Sequence, residues 1–271
     1  MRRWAGTRKV GHLGTLDPAA TGVLPLVIGR ATRLAKFYTK NDKMYEGVVH
    51  FGYSTDSYDG DGQPTSPELP VAIAAEQLEP ILASFRGPLS QMPPAVSAKK
   101  IGGRPAYELA RKNLPVDLKP VDIEIYALDL LSCEGNEARI HVHCSSGTYI
   151  RSIAHDLGQK LGCGAFLKSL RRTMSGDFKI EGARTLPEIE QLSAAGRFAE
   201  AVIPAANLLP DFPCVPVDDI TVAQIRNGRE FRTSPFAGIT ARHVKALNSA
   251  GELVAIGEAR MPNLYHPVLV L

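Results

Sequence analysis

At 271 residues, with 44% hydrophobic and 22% charged side chains, the chain has the make-up of a globular protein, one large domain or a main domain with a small companion. Lysine and arginine outnumber aspartate and glutamate by 31 to 28, a formal net charge of +3 that permits a nucleic-acid partner without demanding one. Cys133, Cys144, Cys163 and Cys214 show no C-x-x-C spacing, so neither a zinc site nor a disulfide framework is signalled, and reduced thiols in a cytoplasmic protein are expected. No apolar run reaches the roughly 18 residues that span a bilayer, and the opening MRRWAGTRKV lacks the apolar core of a signal peptide, so neither membrane insertion nor secretion is expected.

The N-terminal stretch holds a glycine-punctuated loop, Gly11 to Gly22. The apolar run Val23 to Ile28 then predicts a strand ending at Gly29, and a short helix is expected over Ala31 to Tyr38. Tyr45 to Phe51 is rich in strand formers. The Asp/Gly/Ser/Pro-rich segment Ser54 to Pro70 predicts a loop leading to a helix that bears Ile73, Leu78, Ile81, Leu82 and Phe85. A polar, proline-bearing excursion runs from Gln91 to about Pro120. Residues 121–132 and 138–144 predict a hairpin around Glu134-Gly135-Asn136, because Ala138, Ile140, Val142 and Cys144 alternate with Arg139, His141 and His143. Arg151 to Gly162 fits a helix with Ile153, Leu157 and Leu161 on one stripe and Gly162 at its exit. The prolines between Pro204 and Pro216 predict a linker, and short strands follow around turns at Asn227-Gly228 and Ala250-Gly251.

The segment Gly11-His12-Leu13-Gly14-Thr15-Leu16-Asp17-Pro18-Ala19-Ala20-Thr21-Gly22 is the most informative, because loops this rich in glycine usually shape a site. Pro18 biases Asp17 toward an extended backbone, which fixes where the carboxylate leaves the loop. An Asp-Pro pair by itself is far more often a plain turn than a nucleophile. Arg151 opens a helix, where the positive end of the dipole disfavours an unpaired cation by up to about 1 kcal/mol, so it calls for an anion. Between Lys99 and Lys112 the cations Lys99, Lys100, Arg104, Arg111 and Lys112 face only Glu108, a pattern that suits a loop closing on an RNA backbone or an ordinary solvated surface. Lys168, Arg171 and Arg172 form a second basic group beside Leu170. Asp56 to Gly62 fails as a calcium loop, since no glutamate closes it. His141 and His143 share a strand face without a third ligand, which predicts solvent-side residues and no metal.

GHLGTLDPAATGVLPLVIGRATRL resembles the active-site signature of the TruB family of tRNA pseudouridine synthases. In the same order come Asp42-Lys43-Met44-Tyr45, the run from Gln91 through Lys100 with Gly103 to Arg111, then Ser146-Gly147-Thr148-Tyr149-Ile150-Arg151, and Leu170-Arg171-Arg172-Thr173. The resemblance implies that Asp17 is the catalytic carboxylate and that Arg151 is its ionic partner. It implies that Tyr45 packs by the target base and assists proton transfer, and that Tyr149 and Leu170 line the uracil pocket. His12 would shape the space vacated by flipped bases. Lys99, Lys100, Arg104, Lys168 and Arg171 are the expected RNA-backbone contacts. The implied reaction isomerises the T-arm uridine numbered 55 in tRNA without metal or cofactor. No obligate protein partner is implied.

The expected fold is α+β, a mixed, largely antiparallel sheet with flanking helices over residues 1–212, followed by a small PUA-like RNA-binding β domain over 213–271. A further strand with a Lys-Pro pair is expected upstream of Met1 in the family and is missing from this sequence. Two other readings remain: an RNA-binding or tRNA-remodelling protein with catalysis secondary or absent, and an aspartate-dependent glycoside hydrolase. The latter needs a second carboxylate near Asp17, and no candidate for it is evident in the sequence.

Overall fold

The computed structural model describes residues 1–97 and 118–271, together with the backbone of Lys100–Ile101 and Arg104–Pro105. The chain forms two compact units, one of Gly14–Pro25 and Thr39–Ala183, the other of Met1–Leu13, Leu26–Tyr38 and Arg184–Leu271.

The first unit is built on one sheet. Its strands are β1 (Thr21–Gly22), β2 (Lys43–Phe51), β3 (Gly87–Gln91), β4 (Val121–Glu134), β5 (Glu137–Cys144), β6 (Ala165–Ser175) and β7 (Phe178–Lys179), with helices α1 (Ala75–Ala83) and α2 (Ile150–Leu161). The order is β7-β6-β2-β5-β4-β3, antiparallel throughout, with β1 added to β6 in parallel. The sheet is therefore mixed and largely antiparallel, as the sequence predicts. Strict alternation in β2 sends Tyr45, Val49 and Phe51 to the face where Ala138, Ile140 and Val142 of β5 also point. Helix α1 contributes Leu78 and Leu82 to that core, and α2 contributes Ile153, Ala154 and Leu157. Each such aliphatic side chain, once fully buried, stabilises the fold by about 1.5–3 kcal/mol. The β4–β5 hairpin turns at Gly135, whose φ of +59° is the left-handed conformation that this two-residue turn requires.

On the outer face of β5 the alternating polar residues each meet a carboxylate: Arg139 meets Glu46, His141 lies 3.6 Å from Asp129, and His143 bonds Asp42. The predicted strand 23–28 is shorter than expected. Pro25 interrupts it, so that only Leu26–Ile28 forms a strand, paired with Val10–His12 in the other unit. The helix expected after it is a 3₁₀ helix, Gly29–Phe37.

The second unit carries helix α3 (Leu186–Ala194), strand β8 (Cys214–Pro216), helix α4 (Asp219–Arg226) and strands β9 (Phe231–Arg232), β10 (His243–Leu247), β11 (Leu253–Met261) and β12 (Leu264–Val270). Its sheet runs β8-β10-β11-β12-β9. The turn at Ala250-Gly251 joins β10 to β11, as predicted, with Gly251 at φ +76°. Asn227-Gly228 does not join two strands; it ends α4, whose N-terminus is capped by Asp218 accepting from the Thr221 N–H at 2.8 Å. Helix α3 is an addition to the predicted elements. Its signal is the capping box Thr185-x-x-Glu188, in which each side chain accepts from the other residue's N–H. Among the described residues no helix is long and apolar enough to cross a membrane.

Candidate active site

Arg151 is the second residue of α2, and Tyr149 is the extended residue before the helix. That backbone is pinned by the buried Gln91, whose amide donates to Tyr149 O at 3.0 Å and accepts from Tyr149 N–H at 2.8 Å. The Arg151 guanidinium is buried and meets two carboxylates. Its Nη2 donates to Asp17 Oδ1 at 3.0 Å, while Nε lies 2.8 Å from Oδ2 but out of line for a hydrogen bond. Its Nη1 donates to Ser57 O at 3.0 Å and lies 3.2 Å from Asp59 Oδ2. The cation at the positive end of a helix thus has the anion that its position demands, and a second one.

Asp59 is the residue that sequence reasoning missed. Its Oδ1 accepts from the Ser57 hydroxyl at 2.5 Å and from Asp61 N–H at 3.1 Å, so both of its oxygens are engaged. The loop that carries it is clamped to α2 by Tyr58, whose ring stacks on His155 at a centroid distance of 3.8 Å. Tyr58 adopts φ +64°, a left-handed strain for a bulky residue, and His155 sits one turn beyond Arg151. Burial pushes the His155 imidazole below its ordinary value, which favours the neutral ring in the stack.

Asp17 is presented differently. It opens a turn closed by Ala20 N–H donating to Asp17 O at 2.9 Å, and its side chain retains 38% exposure against 5% for Arg151 and 19% for Asp59. One carboxylate is therefore fixed from behind by the guanidinium and open in front. The loop around it is clipped to β6: Thr21 Oγ1 donates to Leu170 O at 3.3 Å, and Val23 N–H to Arg172 O at 2.9 Å. The approach is so close that a Cβ at Gly22, where φ is +95°, would lie 2.1 Å from Arg172 O. Gly22→Ala should therefore lower stability by roughly 2–4 kcal/mol and activity with it. An unchanged melting temperature would contradict this contact.

Arg172, grouped in the sequence with the phosphate-facing cations, is fully buried. It donates Nε to Val23 O at 2.8 Å, Nη1 to Thr15 O at 3.3 Å and Nη2 to Gly14 O at 3.1 Å. It satisfies carbonyls that the irregular loop leaves without ladder partners, and it is a loop anchor rather than an RNA contact. Lys43 is buried near the same loop and donates to Asn41 O at 2.8 Å; burial pushes its ammonium below the usual lysine value. Arg171 is exposed, and Lys168 is half-exposed while bonded to Glu137. Lys99 lies outside the described residues, as do the side chains of Lys100 and Arg104. His12 is exposed at the end of its strand and belongs to the other unit, while Leu170 is half-buried against the core.

Tyr45 is buried on β2, opposite Arg172 in the ladder. Burial pushes its phenol up to about 12; the Asp17 charge adds to the rise and Arg172 opposes it. The group is a protonated donor at neutral pH, suited to holding a proton rather than to taking one as phenolate. An unfolded tyrosine ionises near pH 10, so between pH 10 and 12 the unfolded chain loses a proton that the native chain keeps. Stability falls as pH rises through that window, by roughly 3 kcal/mol from this residue. Tyr45→Phe should lessen the alkaline loss by about 2 kcal/mol in urea melts at pH 8 and pH 11.5, the part of that window passed by pH 11.5. An identical loss in both proteins would contradict it.

Comparison with known proteins adds to this geometry. Residues 2–150 match the model of the TruB family pseudouridylate synthase N-terminal domain, and residues 151–210 that of the tRNA pseudouridylate synthase B C-terminal domain. The tRNA pseudouridine synthase B of Solibacter usitatus is 61% identical over the whole of this chain and 93% of its own length. That of Dechloromonas aromatica is 41% identical over 98% of this chain and 87% of its own. Among solved structures, the chain is similar to one in an H/ACA RNP bound to a substrate RNA containing 2'-deoxyuridine (TM-score 0.70, 24% identity, 99% of this chain and 78% of that one), a likeness of fold. It is also similar to one in a Cbf5-Nop10-Gar1 complex (TM-score 0.69, 26% identity, 97% and 73%).

Proposed function

Because the chain belongs to the TruB family of pseudouridylate synthases, we propose that it converts one uridine of the tRNA T-arm, that numbered 55, to pseudouridine with Asp17 as nucleophile. The observation that carries this reading is the pairing of a half-open Asp17 with a buried Arg151 whose other edge is held by Asp59. Such a carboxylate is aimed without being enclosed, as a group that must reach a substrate and later release it requires.

The reaction breaks the bond between ribose carbon 1′ and uracil nitrogen 1 and forms one between carbon 1′ and carbon 5. Carbon 5 loses a proton and nitrogen 1 gains one, so atoms and electrons balance without a redox or energy-carrying partner. Arg151 holds the Asp17 carboxylate in one orientation. Tyr45, its phenol kept protonated by burial, packs by the base and offers a hydrogen-bond donor near Asp17. Tyr149, fixed by Gln91, and Leu170, on the strand that clips the loop, are assigned to the two faces of the uracil pocket. The base has to leave its stack to reach them, which costs a few kcal/mol. Arg171 and Lys168 are assigned to the RNA backbone beside that pocket, with Lys168 exchanging its Glu137 partner for a phosphate.

A glycoside hydrolase would use a second carboxylate as an independent acid or base. Asp59 spends its oxygens on Arg151, Ser57 and Asp61, which supports a positioning part instead. Incubation of the protein with unmodified tRNA, followed by nearest-neighbour analysis of the T-arm, tests the proposal. Pseudouridine at one T-arm position supports it, and tRNA bound without product would favour a binding protein.

A further inference from the structure

Two guanidinium groups are buried in the first unit, and they differ in their partners. Arg151 is matched by Asp17 and Asp59. Arg172 has no such match. The ion pairs that β2, β5 and β6 make among the described residues are Arg139–Glu46, His50–Glu137, His141–Asp129, His143–Asp42 and Lys168–Glu137, and Arg172 enters none of them. A charge withdrawn from water without a counter-charge is costly to hold. The carbonyls of Gly14, Thr15 and Val23 use three of its N–H groups, yet neutral donors could serve carbonyls equally well. Those bonds account for the donors and leave the charge unexplained.

What lies beside that charge is Tyr45, its partner in the β2–β6 ladder and buried on the same face. The register shift between Arg172 and Met174 breaks the ladder just beyond the arginine, the kind of irregularity that re-aims a side chain next to a site. A guanidinium donates hydrogen bonds and accepts none, so the phenol oxygen is the acceptor in its bond with Arg172. The hydrogen of the phenol is then left for a different acceptor, and Asp17 is the carboxylate whose charge reaches it. Burial is the largest influence on the phenol and favours its neutral form; Arg172 is the largest opposing one. The other ionisable neighbours are Cys144 on β5, whose thiol burial pushes up to about 11, and Lys43 on the same face of β2, pushed down by burial and by Arg172. Gly14, Thr15 and Val23 stand on both sides of Asp17, so one side chain grips the Asp17 loop twice and the phenol once.

We propose that Arg172 is a positioning residue for the isomerisation, whose guanidinium fixes the Tyr45 phenol against the Asp17 loop, turns the phenol hydrogen away from itself and tempers the hold of the phenol on it. The proposal rests on the isomerase reading for the reaction served, and on the structure alone for the contact. Two measurements test it. A ring-difluorinated tyrosine in place of Tyr45 is acidic enough to ionise while the protein is folded, and its absorbance follows the titration. Arg172→Gln should raise the midpoint by about one pH unit, because removal of an adjacent cation disfavours the phenolate. Arg172→Lys, which keeps the charge, should leave the midpoint nearer that of the unaltered protein. In single-turnover assays at saturating tRNA, Arg172→Gln should lower the rate roughly 10- to 100-fold with affinity changed by no more than a few-fold. In a Tyr45→Phe background the same substitution should cost less than about threefold, because the hydroxyl through which it acts is already gone. Where the glutamine variant does not fold, Arg172→Lys carries the same cycle: it loses the planar fork, and its smaller loss of rate should likewise vanish beside Tyr45→Phe. Equal losses in the two backgrounds, or an unchanged midpoint in folded Arg172→Gln, would overturn the proposal and leave Arg172 an anchor of the loop alone. If the unaltered protein forms no pseudouridine, the isomerase reading fails while the phenol titration still decides whether Arg172 governs Tyr45.

Discussion

Replacement of Asp17 by asparagine is expected to reduce single-turnover pseudouridine formation by at least ~10⁴-fold while leaving tRNA affinity within a few-fold. The amide fills the same space at the exit of the Asp17–Ala20 turn, so the loop and its clip to β6 persist. It can still accept one hydrogen bond from Arg151, but it carries no charge and cannot act as an anionic nucleophile. The side chain is also the outer member of the pair, at 38% exposure, so its loss of charge strands the buried guanidinium less than removal of Asp59 would. Binding rests on other groups and is unaffected. Product in a single turnover at anything near the normal rate would remove Asp17 from its assigned part.

The second large effect is expected at Arg151. Arg151→Met removes the one cation shared by Asp17 and Asp59 and leaves the Asp59 carboxylate, at 19% exposure, facing an apolar side chain. Breaking a buried ion pair from one side costs roughly 3–5 kcal/mol, and both carboxylates lose their common anchor here. Asp17 would then swing within its loop, and a misplacement of about 1 Å can cost on the order of 10²-fold in rate. The combined expectation is a marked shift in denaturation midpoint and a fall of at least ~10²-fold in turnover. Arg151→Lys should recover part of the stability but little of the rate, because an ammonium cannot span Asp17, Asp59 and the Ser57 carbonyl as the planar fork does. Denaturant titration and single-turnover assays on both variants check this. A stable, active Arg151→Met protein would show the network to be incidental.

Of the pair to which the chemistry is assigned, each member drew attention in the sequence through a local signal. Asp17 lies in a glycine-rich loop, and Arg151 stands where a strand-like segment gives way to a helix and calls for an anion. That these two, 134 positions apart, are each other's partners came from the family likeness, and the geometry agrees with it. Asp59 was illegible for a physical reason. Asp56, Asp59 and Asp61 sit in one turn-rich stretch and are alike to any local rule; only the strained backbone at Tyr58 and its stack on His155 select which of them reaches Arg151. Arg172 was misread because charge suggests exposure. The β6 ladder shifts register between Leu167 and Ser169 and again between Arg172 and Met174, so simple alternation does not tell which of Arg171 and Arg172 turns inward. The hairpin around Gly135 was read from alternation alone. The ending of α4 at Asn227-Gly228 was not, since the same dipeptide serves a hairpin or a helix exit, and Asp218 three residues before Thr221 was the deciding cap.

The proposed function is isomerisation of one T-arm uridine of tRNA. Carbodiimide treatment and primer extension on tRNA incubated with the purified protein measure it directly, because pseudouridine keeps a carbodiimide adduct that stops the polymerase. A single new stop is expected at uridine 55, dependent on the protein and on Asp17. No stop with a protein that binds tRNA, or stops scattered outside the T-arm, would contradict it.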